Sequence, residues 1–95
     1  MKTSSIITTV NIFPMAAAWF YIDVPIKQVP KVPLAGWGSI PIIATVGKIT
    51  WRTAIFRMKK DQYFIPLKKK VRAKEDILAG DTIKISYRVA IGAEI

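Results

Sequence analysis

The sequence contains neither cysteine nor histidine among its 95 residues. Without cysteine the chain has no disulfide and no thiolate nucleophile, and without histidine it lacks the usual general base and zinc ligand. These absences exclude Ser–His and Cys–His catalysis, haem ligation through histidine and nearly all zinc chemistry. We therefore predict no metal site and no cofactor. A cysteine-free chain is compatible with the cytoplasm, which is the location we expect.

Acidic residues are also few, with six Asp or Glu against fifteen Lys or Arg. A carboxylate pair is the one acid–base arrangement that remains. Glu75 and Asp76 are neighbours in sequence and would point in different directions on a helix, so we interpret them as solvated charges that help to end it. Gly36 and Gly38 lack the third glycine of a dinucleotide-binding loop and lead into a strand. We predict no catalytic residue and no enzyme activity.

Long hydrophobic runs are missing as well. The longest continuous apolar run covers residues 15–22, well short of the roughly twenty residues that a membrane-spanning helix needs. We therefore expect no membrane association. The length fits one domain, residues 1–95, present as a monomer or a homodimer.

Hydrophobic residues nevertheless make up 52% of the chain, and the abundance of Ile and Val favours sheet over helix. Residues 6–13 follow Lys2 as the apolar part of a signal peptide would. Thr8 and Asn11 interrupt that stretch, so we interpret it as a strand. Turn residues divide the chain into six predicted strands, at residues 6–13, 17–24, 39–46, 49–58, 63–67 and 82–90.

Turns and connectors follow from glycine and proline. Ile83, Ile85, Tyr87 and Val89 alternate with polar residues, which indicates a half-buried last strand. The predicted connecting elements are a turn at Pro14 and Met15, an extended connector at residues 25–38 that ends in a tight turn, a hairpin turn at Gly47 and Lys48, a polar turn at residues 59–62, and a turn at Gly80 and Asp81.

A short helix is predicted over residues 68–74, opened by Pro66. Leu67 and Val71 lie four residues apart and would face the core together. Six short strands and one helix predict an all-β protein, a six-stranded barrel capped by a short helix.

Basic residues are concentrated between positions 48 and 88. This segment contains twelve Lys or Arg and four Asp or Glu, so it carries +8 of the net charge of +9. Such a concentration attracts nucleic acid or another polyanion, although lysines also keep a hydrophobic barrel in solution. We predict that the helix and the hairpin form one anion-binding face. Whether the helix lies at the same end as the polar turn is left open by the sequence. The candidate residues are Arg52, Arg57, Lys59, Lys60, Lys68, Lys69, Lys70, Arg72 and Lys74.

Aromatic residues suggest a second kind of site. Trp19, Tyr21 and Trp51 are candidates for lining a small-molecule or peptide site in the barrel mouth, where Trp and Tyr are favoured. Trp51 or Tyr63 would alternatively give a nucleobase a stacking surface. Aromatic residues on alternating strand positions are more often part of the core.

Three segments resemble a known family. They read Gly-Trp-Gly-Ser-Ile-Pro-Ile at residues 36–42, Phe-Ile-Pro-Leu-Lys at residues 64–68 followed by Val71 and Arg72, and Leu-Ala-Gly-Asp-Thr-Ile-Lys-Ile at residues 78–85. In this order they resemble the small prokaryotic barrels of the domain of unknown function DUF1905. The resemblance implies a double-split β-barrel capped by short helices, with no established activity.

Overall fold

The computed structural model describes residues 3–13, 19–31 and 39–90, and their strands form one antiparallel sheet. The strands are β1 (Ser4–Thr9), β2 (Asn11–Ile12), β3 (Phe20–Val24), β4 (Ser39–Val46), β5 (Ile49–Lys59), β6 (Gln62–Leu67) and β7 (Thr82–Val89). In spatial order they run β1-β7-β4-β5-β6-β3-β2. A 3₁₀ turn covers Ile26–Gln28, and the helix α1 covers Lys69–Lys74. None of the helices in this part of the chain is long and apolar enough to cross a membrane.

The sheet curls into a nearly closed barrel because its two outermost strands are consecutive in the chain. β1 pairs with β7 and β2 pairs with β3, and Val10 alone separates β1 from β2. The Val10 amide donates to the Asp81 carbonyl at 2.8 Å, and the Val10 carbonyl accepts from the Gly80 amide at 2.8 Å. The predicted barrel class is confirmed. It has seven strands instead of six because Val10 divides the predicted strand 6–13 between two partners.

The other predicted strands agree closely with the structure. Strand 39–46 is confirmed at both ends, and strands 49–58, 63–67 and 82–90 each differ by a single residue at one end. The predicted strand 17–24 is observed from Phe20 onward, while residues 17 and 18, the turn at Pro14 and the turn around Gly36 lie outside the described residues.

The start of the connector is not extended as predicted. It forms the 3₁₀ turn, in which the Gln28 amide donates to the Pro25 carbonyl at 2.8 Å. Pro25 has φ −57° and, as the residue before the first helical position, needs no amide partner of its own.

The barrel interior is filled by alternate side chains from every strand except the two-residue β2, neither of whose residues is buried. Ile42, Ile55, Ile65 and Ile85 are fully buried there, at alternate positions whose neighbours point outward. In β7 the predicted alternation is confirmed, since Ile85 and Tyr87 are buried and Lys84 is exposed. Burial of this kind is the main stabilising term for a chain of this length.

Helix α1 closes one end of the barrel. Val71 and Leu67 are both buried, as their spacing predicts, and the helix differs from the prediction only in starting at Lys69. Glu75 ends the helix and accepts a hydrogen bond from the Lys48 amide at 3.3 Å. A Cβ atom on Gly47, whose φ is +55°, would collide with the Glu75 carboxylate. Helix and β4–β5 hairpin are therefore joined at this end.

The turn into β7 requires a glycine. Gly80 has φ +88° with open space where a Cβ would lie, so a side chain there would be strained by the backbone alone. The Asp81 carboxylate accepts a hydrogen bond from the Leu78 amide at 2.9 Å, which helps to hold the predicted turn.

We expect Gly80→Val to lower the free energy of unfolding by more than about 1 kcal/mol, because a β-branched residue disfavours positive φ. Gly80→Asn is the matched control. It should lower the free energy of unfolding by less, since asparagine tolerates positive φ better than valine. Chemical denaturation of both variants measures the difference. Equal losses would show that backbone conformation is not the cause.

Tyr87 gives the fold a dependence on alkaline pH. Its hydroxyl donates to the Gln28 carbonyl at 2.6 Å, and burial raises its pKa to about 12. In the unfolded chain a tyrosine ionises near pH 10. The unfolded state thus releases this proton first, and the stability that Tyr87 contributes below pH 10 is lost as the pH rises towards 12.

We expect the difference in unfolding free energy between the parent and Tyr87→Phe to be constant from pH 7 to about 9. It should then fall by an amount on the order of 2 kcal/mol between pH 10 and 12. Denaturant titrations of both proteins at each pH measure it, and the subtraction removes the lysines and other tyrosines. A difference that does not change with pH would contradict the assignment.

Candidate functional site

An aromatic cluster covers part of the outside of the barrel. Phe56 of β5 and Phe64 of β6 are paired across the sheet, with stacked rings 5.7 Å apart. Phe64 meets Phe13 edge-on at 5.2 Å and Tyr21 at 5.8 Å. Phe13 stacks on Tyr21 at 4.2 Å and meets the edge of Trp19 at 6.3 Å. We call these five residues the aromatic cluster.

The cluster is outward because of strand alternation. Ile55 and Ile65 are fully buried, so their neighbours Phe56 and Phe64 point to the opposite face of the sheet. Rings in the cluster are partly buried by one another, but Trp19 remains 55% exposed. A group of partly exposed large aromatic side chains on the outer face of a sheet is typical of a binding surface.

A groove of about 740 Å³ runs from this cluster to the start of helix α1. Its apolar wall includes Trp19, Phe56 and Phe64, and its basic rim consists of Lys68, Lys69 and Arg72. We call it the aromatic groove. Its remaining lining residues are Phe20, Thr53, Ala54, Pro66 and Leu67.

Arg72 is fixed against the barrel. Its guanidinium lies over the Phe20 ring at 4.0 Å from the centroid, and its Nε donates to the Leu67 carbonyl at 3.1 Å. These contacts join the helix to the ends of β3 and β6. Lys68 and Lys69, by contrast, are exposed. The rim therefore combines one arginine with structural contacts and two lysines in solvent.

The structure divides the basic candidates into two groups. Helix α1 follows the end of β6 at Leu67, whereas the β5–β6 turn precedes its start at Gln62, and these ends are about 17 Å apart along the strand. The helix-side group contains Lys68, Lys69, Lys70, Arg72 and Lys74, together with Arg52, which precedes the groove residue Thr53 in β5. The hairpin-side group contains Arg57, Lys59 and Lys60. The single face predicted for helix and hairpin is thus separated into two.

The barrel-mouth candidates occupy different places. Trp51 is 5% exposed and belongs to the core, because it shares the inward face of β5 with Ile55. Tyr63 also packs against the core. Trp19 and Tyr21 lie in the aromatic cluster, on the outer wall and not in the mouth.

Sequence reasoning missed Phe13, Phe56 and Phe64. A signal for two of them was present, since Phe56 and Phe64 alternate with buried isoleucines and must point outward. The contact between Phe64 and Phe13 was not predictable in this way, because it depends on the pairing of β2 with β3 and of β3 with β6.

Three of the acidic residues in the described part of the chain accept hydrogen bonds. Asp23 accepts one from the Asn11 side-chain amide Nδ2 at 3.3 Å, Glu75 accepts the Lys48 backbone amide, and Asp81 accepts the Leu78 backbone amide. Asp61 and Asp76 have positive φ at the β5–β6 turn and after the helix, a backbone conformation that aspartate adopts more readily than most residues.

We expect Arg72→Gln to lower the free energy of unfolding by about 1–2 kcal/mol, through loss of the cation–π contact and the hydrogen bond to Leu67. Lys68→Gln is the control and should change it by less than about 0.5 kcal/mol. Thermal and chemical unfolding measure both. Equal effects would mean that Arg72 has no special structural role.

Comparison with known proteins agrees with the architecture. No curated protein matches the chain. The family model described as domain of unknown function (DUF1905) matches residues 7–86, a span that runs from β1 through most of β7 and includes the aromatic cluster and helix α1. The chain therefore belongs to the DUF1905 family.

Proposed function

We propose that this protein is a non-enzymatic binding module that contacts nucleic acid through the helix-side basic group. The observation that carries the proposal is the position of Lys68 and Lys69, exposed on the rim of a groove with aromatic walls. A basic rim for phosphates beside aromatic side chains is the combination that nucleic-acid-binding surfaces use.

Charge supports the same partner. The net charge is +9, and no acidic residue is among those lining the aromatic groove in the described part of the chain. Phosphates near the rim would therefore meet cations without a competing carboxylate from the groove wall. Like charges along the short helix repel one another when nothing is bound, and a polyanion would relieve that repulsion.

The absence of catalysis is part of the proposal. It is supported by the absence of cysteine and histidine from the sequence and by the structural hydrogen bonds of Asp23, Glu75 and Asp81. We place the protein in the cytoplasm, as a monomer or a homodimer, without a cofactor.

A small apolar molecule or a peptide is the second candidate ligand. The groove volume of about 740 Å³ lies within the range of small-molecule pockets. Such a ligand would be held mainly by apolar contact, so its affinity would change little with salt. The site would be the aromatic groove, not the barrel mouth.

We expect the double variant Lys68→Gln, Lys69→Gln to bind single-stranded DNA and RNA more weakly at low salt. The negative slope of log K against log salt concentration should become smaller in magnitude by about 1.4, or about 0.7 for each lost phosphate contact. Fluorescence anisotropy across a salt series measures both quantities.

The matched control is Lys59→Gln, Lys60→Gln, which removes the same charge from the other end of β6. A general effect of net charge would weaken both double variants equally. That result, or no binding by the parent, would contradict a helix-side site.

A further inference from the structure

The aromatic cluster lies outside the barrel and does not fill its interior. The barrel interior is already filled by other buried side chains, most of them aliphatic, while Trp19 is 55% exposed. Outward positions on a solvent-facing sheet are normally polar, but here Phe13, Tyr21, Phe56 and Phe64 occupy that side together. These rings form a surface that a planar partner would cover.

The partner must also carry negative charge that matches the basic rim. Lys68 and Lys69 border the same groove, so a ligand resting on the rings places any attached anionic group near two cations. A second copy of this chain fits poorly, because packing two grooves together would bring their lysine rims close and the like charges would repel.

Nucleic acid offers planar groups and phosphates in regular succession, but a duplex does not expose them in the required way. In a duplex the base faces are stacked on one another and only base edges are accessible in the grooves. An unpaired strand presents its base faces, and aromatic side chains bind them with little regard to sequence.

We propose that the aromatic groove binds unpaired bases, so that the protein selects single-stranded over double-stranded nucleic acid. Trp19 and Phe56 provide the stacking surface, while Lys68 and Lys69 contact the backbone phosphates. This inference rests on the proposed function, since it names the form of nucleic acid that the same site takes.

The test compares strands that differ only in their bases. The probes are oligothymidylate, a strand of equal length made of abasic sites, and a blunt duplex hairpin with the same number of phosphates. Affinities are measured for the parent at one low salt concentration. We expect oligothymidylate to bind at least about five-fold more tightly than the abasic strand, which is the lower range for one stacked base, and also more tightly than the hairpin.

Variants then locate the stacking surface. Trp19→Leu and Phe56→Leu each keep an apolar side chain but remove a ring, and either should reduce the preference for oligothymidylate over the abasic strand while leaving abasic-strand affinity unchanged. Ile7→Ala is the control, because Ile7 is 73% exposed on β1 and lies outside the groove lining.

The outcomes separate this inference from the proposal on which it rests. Equal affinity of the parent for all three probes would overturn base stacking and leave phosphate binding intact. No binding of any probe would overturn both. A preference for oligothymidylate that survives in both ring variants would overturn the assignment to this groove.

Discussion

Closure of the sheet at Val10 is the constraint on which the rest of the structure depends. A strand at a sheet edge leaves a row of amide and carbonyl groups unpaired. Here the two outermost strands are joined through Val10, with β1 paired to β7 and β2 paired to β3, so the sheet is nearly closed. The backbone hydrogen bonds of Val10 to Gly80 and Asp81 fix the position at which β1 ends and β2 begins. Because β2 must lie beside β3, Phe13 is brought to Tyr21 and Phe64, and the outer aromatic surface follows from the closure.

Helix α1 has one buried apolar residue and several exposed charged residues. Val71 fills the end of the barrel, which a six-residue helix full of lysines would not do by itself. Arg72 contributes to the attachment through Phe20 and Leu67, and Glu75 joins the helix to the hairpin. With the helix held at both ends, its lysines are presented to solvent from a rigid support. A binding site gains from such support because less side-chain and backbone order has to be imposed when a partner arrives.

Local patterns in the sequence predict most of the elements, and long-range pairing accounts for what they miss. The strand at residues 39–46 and the Gly47 turn are readable because alternation and turn residues are local features. The division at Val10 is not, since it is set by pairing with residues 80 and 81, far along the chain. The separation of Lys59 and Lys60 from the helix is not readable from the sequence, because it depends on where helix α1 packs on the barrel after β6. The 3₁₀ turn after Pro25 and the contact of Phe13 with Phe64 depend on tertiary neighbours.

The pairing of β1 with β7 also sets the order in which the chain can fold. Ser4 pairs with Tyr87, so β1 finds its partner only after more than eighty further residues have been synthesised. Contacts between residues this far apart in sequence slow folding, since the loop that they close loses much entropy before any interaction forms. Until then β1 and the β7 side of β4 are open edges with isoleucines on them, and such edges associate with other chains. A strongly basic surface would limit that association by mutual repulsion between nascent copies, whatever partner the mature barrel binds.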